Sequence, residues 1–297
     1  MSKNYKKRRG DRSDGRLLRN LDSLHVMMPH MYPSRCDNEA FVQVSVDLDN
    51  TIKYLLNKNA PDDKYPYKLF YIVVGAIVKT LVLRPKMNYF IQGGRTYEKD
   101  EISTAFVIKK EFKDNGKEGL AYIRYEEDIT LEGVYQKIVH EITKTRDKDL
   151  NDNATDSLDM FAKMPNWLLS LTMGIIRKLE YYDLFPKSIR DTDVSYSSAF
   201  ITNLGSIGLE AGYHHLSNKG TNSLFVTIGK KRMQPTYDEN GNIVMHEVLD
   251  LGLTIDERIG DGYYFSKTIK LLKYLIENPV ELEKPFNQEV DYDTRNK

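Results

Sequence analysis

Apolar residues along the chain recur at two spacings. In Phe41–Asp47, Val42, Val44 and Val46 alternate with polar neighbours, the period of a half-buried strand. Leu69, Ile72, Val73, Ala76, Ile77, Thr80 and Leu81 recur at three and four, which predicts a core-facing helix that stops at Arg84-Pro85. Between them, Asp49-Asn50-Thr51 is placed to cap a shorter helix with Ile52, Leu55 and Leu56 inward, and Ala60-Pro61-Asp62-Asp63 breaks it. Strands are expected over Ile102–Phe112 and Leu120–Tyr125 around the turn Lys113–Gly116, followed by a helix that Thr130 opens with Leu131, Val134, Ile138 and Ile142 inward.

Residues 146–157 are polar and turn-rich, as in a long exposed connection. A helical stretch, Leu158–Tyr181, carries the only tryptophan, Trp167. The pattern then turns to strands at Ser197–Asn203, Ser223–Ile228 and Ile243–Ile255, with Asp238–Gly241 as a turn. The last strand ends in Asp256-Glu257-Arg258, and Asp261-Gly262 opens a helix with Phe265, Ile269, Leu272, Leu275 and Ile276 inward, up to Asn278-Pro279. This order predicts an α/β protein with a large mixed sheet. Strands on both sides of the polar connection favour one domain, residues 21–284, over two.

Charge changes the picture only at the ends. Lys plus Arg and Asp plus Glu number 43 each, so no global field points to nucleic acid or membrane. Eight of the cations lie between Lys3 and Arg19. Such a run reads as a disordered, solvated arm over residues 1–20, and residues 285–297 read as a flexible tail. Cys36 is the single cysteine, so no internal disulfide can form, which fits a reducing, cytoplasmic setting. The longest apolar run, Leu69–Leu83, is too short to span a bilayer and contains Lys79.

Familiar chemistry is missing from the motifs. No phosphate loop, dinucleotide glycine fingerprint or Gly-x-Ser-x-Gly elbow is present, and no His/Cys cluster has zinc spacing, so no metal is expected. His214 and His215 are adjacent, which in a strand would send their rings to opposite faces. What remains is two glycine-bearing turns, Ala199–Gly208 and Asp256–Gly262. A strand that delivers carboxylates and an arginine to a helix N-terminus suits either chemistry or a cap with a salt bridge.

These turns resemble the catalytic domain of the dihydrolipoyl acyltransferases of 2-oxo acid dehydrogenase complexes, with chloramphenicol acetyltransferase as a more distant relative. Phe200-Ile201-Thr202-Asn203-Leu204-Gly205 is similar to that family's Phe-Thr-(Ile/Val)-Ser-Asn-Leu-Gly signature. Ser223–Gly229 with Met233-Gln234-Pro235 resembles the strand and proline that follow. Asp256–Gly262 resembles the closing Asp-His-Arg-x-x-Asp-Gly motif, and Leu275–Pro279 the last helix end. Weaker similarity at Met28-Pro29-His30, Val42–Asp47 and Arg84–Asn88 extends the match in order from about His25 to Leu282.

The resemblance implies a chloramphenicol acetyltransferase-like two-layer sandwich, a homotrimer with sites at subunit interfaces, and acyl transfer between coenzyme A or another carrier and a small-molecule acceptor. It implies that Thr202 supplies the oxyanion hydroxyl, that Asp261 is the structural aspartate and that Arg258 is the motif arginine. No lipoyl group is expected on this chain. Where the family has its histidine base, the sequence has Glu257. Moving a proton from a thiol to an imidazole costs about 3 kcal/mol, and to an ordinary carboxylate about 6 kcal/mol. Either Glu257 acts as a base raised by burial, or His214 or His215 supplies the imidazole. The alternative is an inactive trimeric pseudoenzyme that binds a small molecule or a partner protein.

Overall fold

Alternation decides which face of each strand is buried. In β2 (Glu39–Asp47), Val44 and Val46 are buried, and in β9 (Ile243–Asp256) so are Leu249, Leu251, Leu253 and Ile255. They pair antiparallel, Val46 opposite Leu249 and Val44 opposite Leu251, and together give the sheet an apolar face. The computed structural model describes residues 5–109, 118–146, 163–191 and 193–292. Among these, β5 (Ile102–Lys109), β6 (Glu118–Tyr125), β7 (Ala199–Asn203) and β8 (Leu224–Tyr237) complete a six-stranded sheet of order β2-β9-β8-β7-β5-β6. β7 runs parallel to both β5 and β8, while the other pairs are antiparallel, so the expected mixed sheet is present.

The helices cover that apolar face. α1 is Ser23–Met31, α2 is Asp49–Lys58, α3 is Leu69–Leu83, α4 is Leu131–Arg146, α5 is Asn166–Tyr181 and α6 is Gly262–Glu277. α3 is buried all round from Tyr71 to Leu81 and packs against α4 and α6. Its Lys79 is fully buried, donates to the Glu281 carbonyl at 2.7 Å, and has its pKa pushed down by that burial. No helix among the described residues is long and apolar enough to cross a membrane.

The chain ends differ from expectation. Far from a solvated arm, β1 (Gly15–Leu17) pairs with β4 (Arg95–Lys99), which pairs with β3 (Tyr89–Gln92) in a second, three-stranded sheet. The reason is charge compensation. Arg12, 5% exposed, sits 3.0 Å from Asp14 and 3.4 Å from Asp183, while Arg16 pairs with Glu98 and Arg19 with Asp11. At the other end, Phe286 is buried in the core and its N–H donates to the Ile129 carbonyl at 2.9 Å, so residues 285–292 are no free tail.

Smaller corrections concern α2 and β8. Asp49 stands inside the first turn of α2, where its N–H is held by Asp47 at 2.8 Å, and Leu56 is exposed rather than inward. β8 runs on to Tyr237 because the polar half after Ile228 pairs with the first half of β9 as a projecting ribbon. The ribbon closes at the expected turn, where Gly241 takes a left-handed φ of 80°. The connection expected over 146–157 and the turn at 113–116 lie essentially outside the described residues, as does the start of the helix expected from Leu158.

Candidate active site

The outer face of the sheet carries the site, because one segment lies flat on it. Residues 209–218 leave β7 through the turn Leu204–Ile207 and cross β8 and β9 in extended form. The Lys230 N–H donates to the Leu209 carbonyl at 2.8 Å, Thr227 Oγ1 donates to the Gly212 carbonyl, and the Leu216 N–H donates to Glu39 at the start of β2. Glycine makes this approach possible. A Cβ on Gly252 would stand 2.1 Å from Gly212 O, and one on Gly229 would stand 2.4 Å from the Ala211 nitrogen.

Under this segment lies a cavity of about 330 Å³ lined by Thr202, His214, His215, Tyr213, Asn222 and Thr227, among others. It brings together three of the five site residues expected from sequence. The adjacent imidazoles do not point to opposite faces, because residues 211–217 form no strand. Their rings stack at 4.5 Å, and His214 stacks on Phe225 at 4.3 Å and 8°. His214 Nδ1 lies 2.9 Å from the His215 carbonyl oxygen. A carbonyl can only accept, so Nδ1 donates in this contact, and in the neutral ring Nε2 is then the acceptor. Phe225 and Thr227 were missed from sequence, though as alternate residues of one strand they had to share a face.

A separate cavity of about 260 Å³, lined by Asp14, Glu101, Tyr122 and Thr221 among others, holds Lys99 of β4, 3% exposed, its ammonium donating to the Tyr196 carbonyl and, at 2.8 Å, to Thr221 Oγ1. Burial pushes its pKa down to about 8, against the pull of Glu101 and Asp14.

The Asp256–Gly262 turn is built differently. Arg258, 1% exposed, grips Asp256 through two hydrogen bonds, 2.8 Å from Nε and 2.7 Å from Nη2. Its Nη1 donates to the carbonyls of Tyr32 (2.9 Å) and Pro33 (3.2 Å). Arg35 approaches Asp256 at 3.6 Å, and burial pushes its pKa below the ordinary value, with Asp256 opposing. Asp261 caps α6, accepting from the Tyr264 N–H at 2.8 Å, as its cap reading requires. Glu257 is exposed, and its main-chain N–H donates to the Asn38 carbonyl at 2.9 Å.

Within one chain Glu257 and Thr202 do not meet. The ladder runs Thr202 to Thr227 to Gly252, and Glu257 lies five residues further along. At ordinary strand spacings this is roughly 15–20 Å. A second cleft, of about 540 Å³, adjoins the turn and is lined by Arg8, Arg16, Arg19, Lys86, Arg258 and Ile259, among others.

Comparison with known proteins bears on the fold and on the segment that holds both turns. Residues 186–283, which contain both glycine-bearing turns, match the family described as 2-oxoacid dehydrogenases acyltransferase (catalytic domain). No curated protein matches the chain in sequence. Among solved structures, a probable dihydrolipoamide acetyltransferase from Listeria monocytogenes 4b F2365 is 15% identical, covers 88% of this chain and 94% of its own, and superposes with a TM-score of 0.58. The Azotobacter vinelandii dihydrolipoamide acetyltransferase, studied for the role of a serine, a histidine and an asparagine in its catalytic mechanism, is also 15% identical, with 89% and 93% covered and a TM-score of 0.58. A chloramphenicol acetyltransferase is 14% identical, with 88% and 99% covered and a TM-score of 0.55. Residues 186–283 are thus similar to the 2-oxoacid dehydrogenase acyltransferase catalytic domain, and the chain shares over most of its length the fold of the dihydrolipoamide and chloramphenicol acetyltransferases.

Proposed function

We propose that this protein transfers an acyl group between coenzyme A, or another thiol carrier, and a small-molecule acceptor, in the cavity that Thr202 and His214 both line. That juxtaposition carries the reading, because acyl transfer needs a base and an oxyanion donor at one carbonyl. The acceptor's S–H or O–H proton passes to His214 Nε2, and the freed sulfur or oxygen attacks the thioester carbon. The oxyanion takes a hydrogen bond from Thr202 Oγ1. Its collapse breaks the carbon–sulfur bond, and the departing thiolate takes the proton back from His214.

Stacking on Phe225 and the Nδ1 contact hold His214 in the orientation and tautomer that a base needs. His215 buttresses the ring. Glu257 and Asp261 stand four positions apart, as do the histidine and asparagine investigated in the Azotobacter enzyme. In this chain that motif frame serves the fold, and the base has moved to the segment on the sheet.

A homotrimer of single acyltransferase-like units fits the exposed apolar stripes. Trp167, Leu171 and Ile175 recur every four residues along α5, 70%, 54% and 51% exposed, and Leu24, Met27 and Met31 stand out on α1. In such an assembly the basic cleft beside the turn suits the phosphates of the carrier.

The test is thiol release from acetyl-coenzyme A, with calorimetry for binding. His214→Ala should lower turnover about 100-fold or more and Thr202→Val about tenfold or more, with binding retained. A loss on Glu257→Gln with none on His214→Ala would return the base to Glu257. Exposure of Glu257 also leaves room for a second reading, a pseudoenzyme. Coenzyme A binding with no turnover toward any thiol, alcohol or amine acceptor would favour it. No coenzyme A binding would remove the coenzyme A reading.

A further inference from the structure

At the β2 edge of the sheet, away from the cavity, three elements widely separated in sequence converge on one point. β2 ends at Asp47, α2 begins at Asp49, and the β8–β9 ribbon contributes His246. His246 Nδ1 lies 2.9 Å from Asp47 Oδ2 and 3.0 Å from Asp49 Oδ2, and the three ligand atoms all lie within 4.8 Å of one another. We propose that Asp47, Asp49 and His246 bind one first-row divalent metal ion, with Gln234 as a fourth donor.

Spacing supports the assignment. Ligands about 2.1 Å from a metal stand about 3.0 Å apart when cis in an octahedron, and about 3.4 Å apart in a tetrahedron. The two nitrogen–oxygen separations match the octahedral edge. One imidazole with carboxylate oxygens suits Mn²⁺, Co²⁺, Ni²⁺ or Zn²⁺ in six-coordinate form, water completing the shell.

Gln234 provides an independent sign. It lies directly opposite His246 in the β8–β9 ladder, so the two side chains share a face. Its Oε1 is buried and has no hydrogen-bond partner. An orphaned acceptor on the face that carries His246 is costly without a cation or a donor to face. Nearby cations are engaged elsewhere: Lys231 pairs with Glu247 at 2.7 Å, and Lys273 with Glu277 at 3.7 Å. Glu277 accepts from the Asp47 N–H at 3.1 Å and adds to the negative potential, although burial favours its neutral form.

The competing account is an imidazolium paired with two carboxylates and no metal. Calorimetric titration of MnCl₂ and ZnCl₂ into the chelator-treated full chain separates the two. Saturable binding of one ion per chain is expected, weakened about tenfold or more by His246→Ala and by Asp49→Asn and measurably by Gln234→Ala. Co²⁺ should give the weak visible bands of a six-coordinate ion. Far-UV circular dichroism checks that each variant is folded. Absence of saturable binding, binding unchanged in His246→Ala and Asp49→Asn, or binding abolished by His214→Ala/His215→Ala instead would each overturn the site. The assignment is independent of the acyl-transfer reading.

Discussion

The Asp256–Gly262 turn and the cavity lined by Asp14, Glu101 and Tyr122 both enclose a buried cation, but on different terms. Under the turn, Arg258 meets a buried carboxylate in a two-point grip and fills its remaining bonds with carbonyls. Near the cavity, Lys99 meets only a carbonyl and a hydroxyl, with Glu101 and Asp14 acting at longer range. A compensated charge makes a rigid local frame, whereas Lys99 stands close to losing its proton. The turn that resembles the family's closing motif is thus chiefly architecture, whereas the Lys99 site leaves its charge only partly compensated.

The comparison can be broken most severely at Arg258. Replacing it with Met should cost about 3–5 kcal/mol in denaturant unfolding, because Asp256 would be left buried with only Arg35 nearby. A loss under about 1 kcal/mol would mean that the turn is not held by this pair. Lys99 comes next. Its folded pKa, about 8, lies below the ordinary lysine value of 10.5, so above pH 8 the unfolded chain binds the extra proton and stability rises with pH. This contribution is fully present above about pH 10.5 and is lost as pH falls through 8. The stability of wild type relative to Lys99→Met should therefore improve by about 3 kcal/mol between pH 7 and pH 10.5. A flat difference would show that Lys99 keeps its proton in the fold.

Gly252→Ala tests whether the segment over the sheet truly rests on bare backbone. The added methyl group should displace Gly212, cost about 1–3 kcal/mol and reduce turnover along with it. Retention of both would place the segment elsewhere. Asp261→Ala should cost about 1 kcal/mol through loss of the α6 cap, with no change in coenzyme A affinity. Glu257→Gln is the mildest, within about 0.5 kcal/mol of wild type, as for an exposed side chain with no structural duty.

Much of the sheet was legible because its strands alternate over an apolar core, and α3 and α6 because their stripes recur at three and four. β1, β3 and β4 were not, since Arg12, Arg16 and Arg95 fill a sheet whose stability depends on carboxylates distant in sequence. A charge run looks solvated until its partners are known. Thr202 could be placed by resemblance alone. The stacked pair His214 and His215 was misjudged because extended chain was equated with strand, although residues 211–217 pair with no neighbour. Metal-ligand spacing searches are blind to the Asp47–Asp49–His246 cluster for a similar reason. About two hundred residues separate ligands that the β2–β9 pairing brings together.

The glycine seam under residues 209–218 makes the cavity roof a length of main chain laid on main chain. At Gly229 and Gly252 the segment's height over the sheet is set by backbone thickness, which side-chain replacement cannot alter except at the glycines. A single methyl group at either would therefore lift the segment that carries His214 and His215, moving that part of the cavity's lining as a unit.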